Sequence, residues 1–203
     1  MVREQGGWLT DSALECSAVV ANNAMNRERG LAGVNSYTRE LGFNPVDVLT
    51  TLLFASVSGT VAWLDLCCGS GRALIQAAHR LRGQAQRVRL VGVDLVDFFD
   101  PVPAPGSALD LVCAPALSWQ PDRRFDLVTC VHGLHYVGDK LTLLARAASW
   151  LTDDGLFIAD LDLSSIRMAG GKPAGTPLVR ELRTAGFSYD RRRRASAAPV
   201  GRP

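Results

Sequence analysis

The sequence predicts an α/β protein built on a doubly wound, mostly parallel sheet, with helices ahead of the sheet and a shortened strand region at its C-terminal end. Three observations carry that expectation. Strand and helix patterns alternate from Val61 onward. The strands are continuous apolar runs rather than alternating ones, the mark of strands covered on both faces. A glycine-rich turn joins the first of these strands to the helix after it.

The elements follow in order. Residues 1–58 read as an N-terminal helical segment. Ser12 and Glu15 have capping-box spacing, and Leu14, Ala18, Val19 and Met25 keep a helical period. Asn35 is placed to cap a short helix through Leu41, closed by Gly42. Asn44 followed by Pro45 is a cap with proline at the first helical position, starting a helix to Ala55. Residues 59–190 form the main domain. Its strands are expected over Val61 to Cys67, Val88 to Val93, Ala108 to Val112, Phe125 to Val131 and Leu156 to Leu161. Its helices are expected over Arg72 to Leu81, Asp139 to Trp150, and from Thr176 and Pro177 to Gly186, with Thr152 to Gly155 as a turn. Leu95 to Gly106 holds three prolines and leaves little room for a helix. Phe187 to Asp190 opens a sixth strand. Residues 191–203 read as a basic, disordered tail.

Composition excludes several classes. The 203 residues are 47% hydrophobic and 21% charged, enough apolar material for one core. The most apolar stretch, Val48 to Leu64, is interrupted by threonine, serine and glycine, so no membrane span is expected. The first residues lack an apolar signal core, and five cysteines without a CxxC pair fit reduced thiols. A cytoplasmic protein is therefore expected. Three histidines and no ligand spacing argue against a metal site. Net charge is +2, but residues 165–203 carry +7, centred on Arg191 to Arg194. That run lacks interleaved aromatics, so no nucleic-acid partner is expected.

The chemistry concentrates in Leu64-Asp-Leu-Cys-Cys-Gly-Ser-Gly-Arg72. Gly69 and Gly71 allow the backbone to approach a ligand at the start of a helix. A phosphate-binding P-loop would need lysine after the glycines, and Arg72 stands there. A nicotinamide loop would need a third glycine where Leu74 stands. Asp94 ends the next strand, 23 residues beyond Gly71, and is placed to accept two ribose hydroxyls.

The stretch resembles the first motif of class I S-adenosylmethionine-dependent methyltransferases, with Cys67 in place of the first glycine. Phe125-Asp-Leu-Val and Val131-His-Gly-Leu-His-Tyr136 resemble that family's fourth motif, and Trp150 to Ile158 its fifth. The resemblance covers about residues 35 to 190. It implies S-adenosylmethionine as cofactor and a small-molecule acceptor; a homodimer is left open. It implies cofactor contacts from Asp65, Cys67, Gly69, Gly71, Asp94, Leu95, Ala114, Leu117, Val131 and His132. Tyr37 could reach the methionine end and Arg39, with Arg27 or Arg29, its carboxylate. Cys113 stands where many members have the aspartate that binds the adenine amino group, so the neighbouring backbone, Leu117 or Trp119 takes that place. Phe98 and Phe99 either lie over the adenine or pack in the core. His132 and His135 are the candidate general bases, because a hydroxyl acceptor loses a proton as the methyl arrives. Asp160 and Asp162 end the fifth strand, and one is expected to face the acceptor. The family's last, antiparallel strand looks missing or much altered. The alternative reading is a non-catalytic or degenerate S-adenosylmethionine-binding domain.

Overall fold

A computed structural model describes residues 28–102, 108–168 and 171–190, together with the backbone alone of Arg3–Glu4, Gly7–Trp8 and Ala195–Pro199. The helix expected around Ser12 to Met25 lies outside the described residues, as do Arg27 and Arg191 to Arg194. β1 (Arg3–Glu4) and β2 (Gly7–Trp8) pair antiparallel. These four residues are thus strand, where the sequence predicts a helical segment.

The main sheet contains seven strands: β3 (Val61–Leu66), β4 (Val88–Asp94), β5 (Leu109–Cys113), β6 (Phe125–Cys130), β7 (Leu151–Asp160), β8 (Ser188–Asp190) and β9 (Ala195–Pro199). Their order is β5-β4-β3-β6-β7-β9-β8. The five strands from β5 to β7 are parallel, and β9 enters antiparallel between β7 and β8. This corrects the expectation of a disordered tail: residues 195–199 are a strand of the sheet. The C-terminal strand region is short, with three residues in β8, but its last strand is present. Ala-Ser-Ala-Ala-Pro has little strand propensity of its own, so the paired edges of β7 and β8 hold it.

Among the described residues, five α-helices flank the sheet: α1 (Tyr37–Leu41), α2 (Pro45–Ala55), α3 (Arg72–Arg80), α4 (Lys140–Ser149) and α5 (Gly175–Thr184). Ser36, not Asn35, caps α1, its Oγ accepting from the Arg39 amide. Asn44 caps α2 and Asp139 caps α4, as the sequence predicts. No helix occurs over residues 95–102 of the β4–β5 connection. Successive residues of a strand point to opposite faces, and β3 is buried along its whole length. Trp63 packs with Tyr37, Leu49, Leu53 and Leu74 from α1, α2 and α3. Leu64 and Leu66 pack with Leu143, Leu144 and Leu182 from α4 and α5.

The turn expected at Thr152 to Gly155 is instead an irregularity inside β7. There the pairing slips between Phe125–Leu151 and Leu127–Leu156. Gly155 is required at this point: a Cβ would lie 2.9 Å from the Phe125 carbonyl oxygen and 3.0 Å from that of Thr152.

Candidate active site

The order of the sheet reverses at β3, whose neighbours β4 and β6 are followed outward in opposite directions. Ligands of doubly wound folds sit beyond the carboxyl ends of strands at such a point. The segment that leaves β3 there is a chain of left-handed residues. Cys67 has φ 57°, Gly69 63° and Gly71 74°. The first glycine of the family motif is therefore replaced by a residue that adopts the same left-handed backbone at a cost of about 1–2 kcal/mol. The Cys67 side chain faces the turn after β6, where a Cβ on Gly133 would collide with it. Its thiol is pushed up by a hydrogen bond with Cys130 and then by burial. Gly71 is packed on its open side by Leu111, 2.7 Å from a would-be Cβ. The reason for glycine here is thus the backbone and its packing, a correction to the expectation that position 71 leaves room for a ligand.

Asp94 closes the turn. Its Oδ2 accepts from the Gly69 amide at 2.8 Å and its Oδ1 from the Val96 amide at 3.1 Å. These two amides take two of the roughly four lone-pair positions of the carboxylate. Ser70, in the same turn, is 4% exposed, and its Oγ has no partner among the described residues. A buried hydroxyl without a partner is costly. It is a polar position that a cofactor would satisfy, and the sequence analysis missed it. Its only signal was a serine between the two glycines.

Asp65 is fully buried. Tyr37 donates to one carboxylate oxygen and Thr129 to the other, each at 2.6 Å. The Thr129 hydroxyl in turn accepts from Trp63 Nε1 at 2.8 Å. Burial pushes the Asp65 carboxyl up to about 7 against the pull of these donors, with help from the Asp94 charge. Burial and then Asp65 push the Tyr37 hydroxyl well above its ordinary value. Asp65 and Tyr37 therefore meet each other beneath the rim, and neither side chain lines open surface, contrary to the expected direct contacts. Arg39 is exposed and donates to the Val34 carbonyl at 3.2 Å.

At the carboxyl ends of β4 and β5, the exposed Cys113 thiol donates to the Leu95 carbonyl at 3.4 Å, and the Ala114 amide to that of Asp94 at 2.9 Å. Leu95, Ala114 and Leu117 are half-buried at this edge. Trp119 is turned away: it packs edge-on against Trp150 at 5.6 Å. Of the phenylalanine pair, Phe99 packs against the core and Phe98 is 65% exposed.

In the turn after β6, Val131 is buried and His132 takes a left-handed backbone, φ 58°. His132 Nε2 lies 3.1 Å from Glu40 Oε2, and Nδ1 3.5 Å from Asp160 Oδ2. Both ring nitrogens face carboxylates. The His135 ring lies 4.0 Å from that of Tyr136 and edge-on to His132 at 6.3 Å. Partial burial, then His132 and Lys140, lower its pKa below the ordinary histidine value. His135 is thus neutral, and free to accept a proton, over more of the acid range than a typical histidine. Glu40 is a site residue that the sequence analysis did not name.

Two cavities, of about 670 and 590 Å³, open at the opposite, amino end of the strands. Of the arginines lining the larger, Arg89, Arg123 and Arg124 pair with Asp110, Asp122 and Asp153. Among the described residues, no group of three or more histidine, cysteine or acidic side chains is arranged to hold a metal ion, and no helix is long and apolar enough to cross a membrane.

Solved structures with a similar backbone are methyltransferases of low sequence identity. The plantazolicin methyltransferase BpumL in complex with SAH is 16% identical, with a TM-score of 0.47 over 78% of this chain and 62% of that one. N-methyltransferase NodS from Bradyrhizobium japonicum WM9, in complex with S-adenosyl-L-homocysteine, is 20% identical, with a TM-score of 0.44 over 86% of this chain and 94% of that one. CalS10, a SAM-bound amino pentose methyltransferase from Micromonospora echinaspora, is 20% identical, with a TM-score of 0.39 over 56% and 48%. The chain spans 55% of the BpumL chain in its complex with a triazolic desmethyl analogue. No curated protein matches it. The methyltransferase-domain family model matches residues 35–195, from α1 through the glycine turn and both histidines to the start of β9, and the chain belongs to that family.

Proposed function

We propose that this protein is an S-adenosylmethionine-dependent methyltransferase acting on a small-molecule acceptor. The observation that carries this reading is the turn from Cys67 to Gly71, closed by Asp94 and holding the orphaned Ser70 hydroxyl, in a chain of the methyltransferase family. The cofactor supplies a methyl group already activated on a sulfonium. Asp94 accepts the ribose hydroxyls, and the Leu95 and Ala114 edge takes the adenine. The left-handed turn and the start of α3 face the methionine portion. The residues before β3 cover the site, with α1 fixed through Tyr37 to Asp65.

The protein's main work is orientation in a site with little water, since transfer between two bound groups gains most from alignment. For an acceptor that must lose a proton, His135 is the base, because partial burial lowers its pKa while both ring nitrogens of His132 face carboxylates. The described cysteines are all free, which supports a cytoplasmic location. The non-catalytic alternative rested partly on a missing last strand, and β9 removes that support.

The test is calorimetric titration with S-adenosylmethionine, followed by measurement of S-adenosylhomocysteine release across a panel of small hydroxyl, amine and thiol acceptors. Binding with turnover on one acceptor class is expected. Absence of binding in the wild type would overturn the reading.

A further inference from the structure

We propose that His132 is a positioning residue, the centre of a latch that holds α1 closed over the carboxyl ends of the sheet. The latch is a chain of four polar side chains in close contact. Arg29 Nη1 lies 2.7 Å from Glu40 Oε1, Glu40 Oε2 3.1 Å from His132 Nε2, and His132 Nδ1 3.5 Å from Asp160 Oδ2. It joins four segments: the residues before α1, α1 itself, the turn after β6, and the end of β7. Arg29 is 8% exposed, so one end is anchored in the protein. The left-handed backbone at His132 is an unfavourable conformation for a residue with a side chain. Here it aims the ring between the two carboxylates. Strain of this kind persists where surrounding contacts over-determine it.

The ring is the joint of the latch, with one nitrogen close to each carboxylate. The groups facing His132 are Glu40 from α1, backed by Arg29, Asp160 from β7, and the His135 ring on the same turn. Burial would raise the Glu40 carboxyl, but His132 and then Arg29 hold it below its ordinary value. Glu40 therefore remains an acceptor at neutral pH. His132 ties α1 through Glu40, while Tyr37 ties it to Asp65 on the buried side.

Hydrogen exchange of the α1 amides in the full chain, without cofactor, tests this directly. Glu40 and Gly42 donate within α1 to Ser36 and Thr38 and report its opening. His132→Asn suits the left-handed backbone but is too short to reach both carboxylates. It should remain folded and, corrected for intrinsic rates, lose about fivefold in the protection of these amides relative to wild type, the scale of a partly exposed side-chain contact. Glu40→Gln should do the same, and the double variant should be no worse than either single one. Unchanged exchange in His132→Asn would overturn the latch.

A kinetic arm separates a latch from a base and rests on the proposed methyltransferase function. His132→Asn should raise the cofactor KM about fivefold and keep the single-turnover rate of the saturated enzyme within about twofold. A loss confined to that rate would overturn the latch in favour of a base. If the wild type binds no cofactor, the functional reading fails, and the exchange experiment alone decides the latch.

Discussion

The buried carboxyl of Asp65 makes stability depend on pH in a direction opposite to most acidic side chains. Its pKa is about 7 in the folded chain, against an ordinary value of 3.8. Below pH 3.8 the group is protonated in both states. Between 3.8 and about 7 the folded state holds a proton that the unfolded state has released. Stability therefore falls as pH rises through this window and levels off above it. At about 1.4 kcal/mol per pH unit, the full span is worth about 4 kcal/mol. Full burial leaves no solvent screening to reduce this figure. It is a large share of the 5–15 kcal/mol typical of a folded domain.

Other groups also titrate over this range, so the measurement must isolate Asp65. Asp65→Asn keeps the size of the side chain, cannot ionise, and retains a carbonyl oxygen for Tyr37 or Thr129. Urea unfolding of wild type and variant at half-unit steps from pH 4 to pH 8 gives two stability curves. The wild-type curve should fall relative to the variant by about 4 kcal/mol across the window, whatever constant offset the amide introduces. A difference that stays flat to within about 1 kcal/mol would refute the reasoning. The carboxyl would then titrate at an ordinary value, and burial would not govern the Tyr37–Asp65–Thr129 network.

The fold was legible where one strand or cap carries its own signal. Val61 to Leu66 is apolar throughout because both faces are covered, and Asn44-Pro45 and Asp139 announce their helices by local chemistry. Ala195–Pro199 was not legible. Three alanines, a serine and a proline become a strand only because two edges wait for them, and that is tertiary information. Cys67 was read as a departure from the glycine motif; its left-handed backbone depends on the turn around it, which the residue name does not disclose. The place of Asp94 beside the glycine turn was legible from its spacing in the sequence. The Tyr37–Asp65 bond joins residues 28 apart, and nothing local in either segment specifies it. The same holds for Glu40, which belongs to an exposed turn of a short helix and gains its role only where the chain returns at His132 and Asp160.

The remaining expectations follow from individual contacts. Tyr37→Phe removes one of the two donors to a buried carboxylate and should lower stability by about 1–3 kcal/mol in urea unfolding at pH 8, with a smaller effect at pH 5, where Asp65 is protonated. Gly71→Ala must hold φ 74° and push Leu111 aside, so thermal unfolding should show a loss of about 2–4 kcal/mol. Cys67→Gly relieves the left-handed strain, while Cys67→Val adds a β-branch to it; the glycine variant should be more stable than the valine one by at least about 2 kcal/mol. Asp94→Ala should weaken S-adenosylmethionine binding by about 1.5–3 kcal/mol by calorimetry. The last expectation concerns His135. Its lowered pKa keeps the ring neutral to below pH 6.5, so with a hydroxyl acceptor the single-turnover rate should hold level through neutrality and fall only at a pH below the ordinary histidine midpoint. His135→Ala should lose roughly 10²–10⁴ in that rate, with cofactor affinity kept, and should abolish the acid limb. If the variant retains the wild-type rate and acid limb, His135 is not the base, and transfer rests on alignment alone.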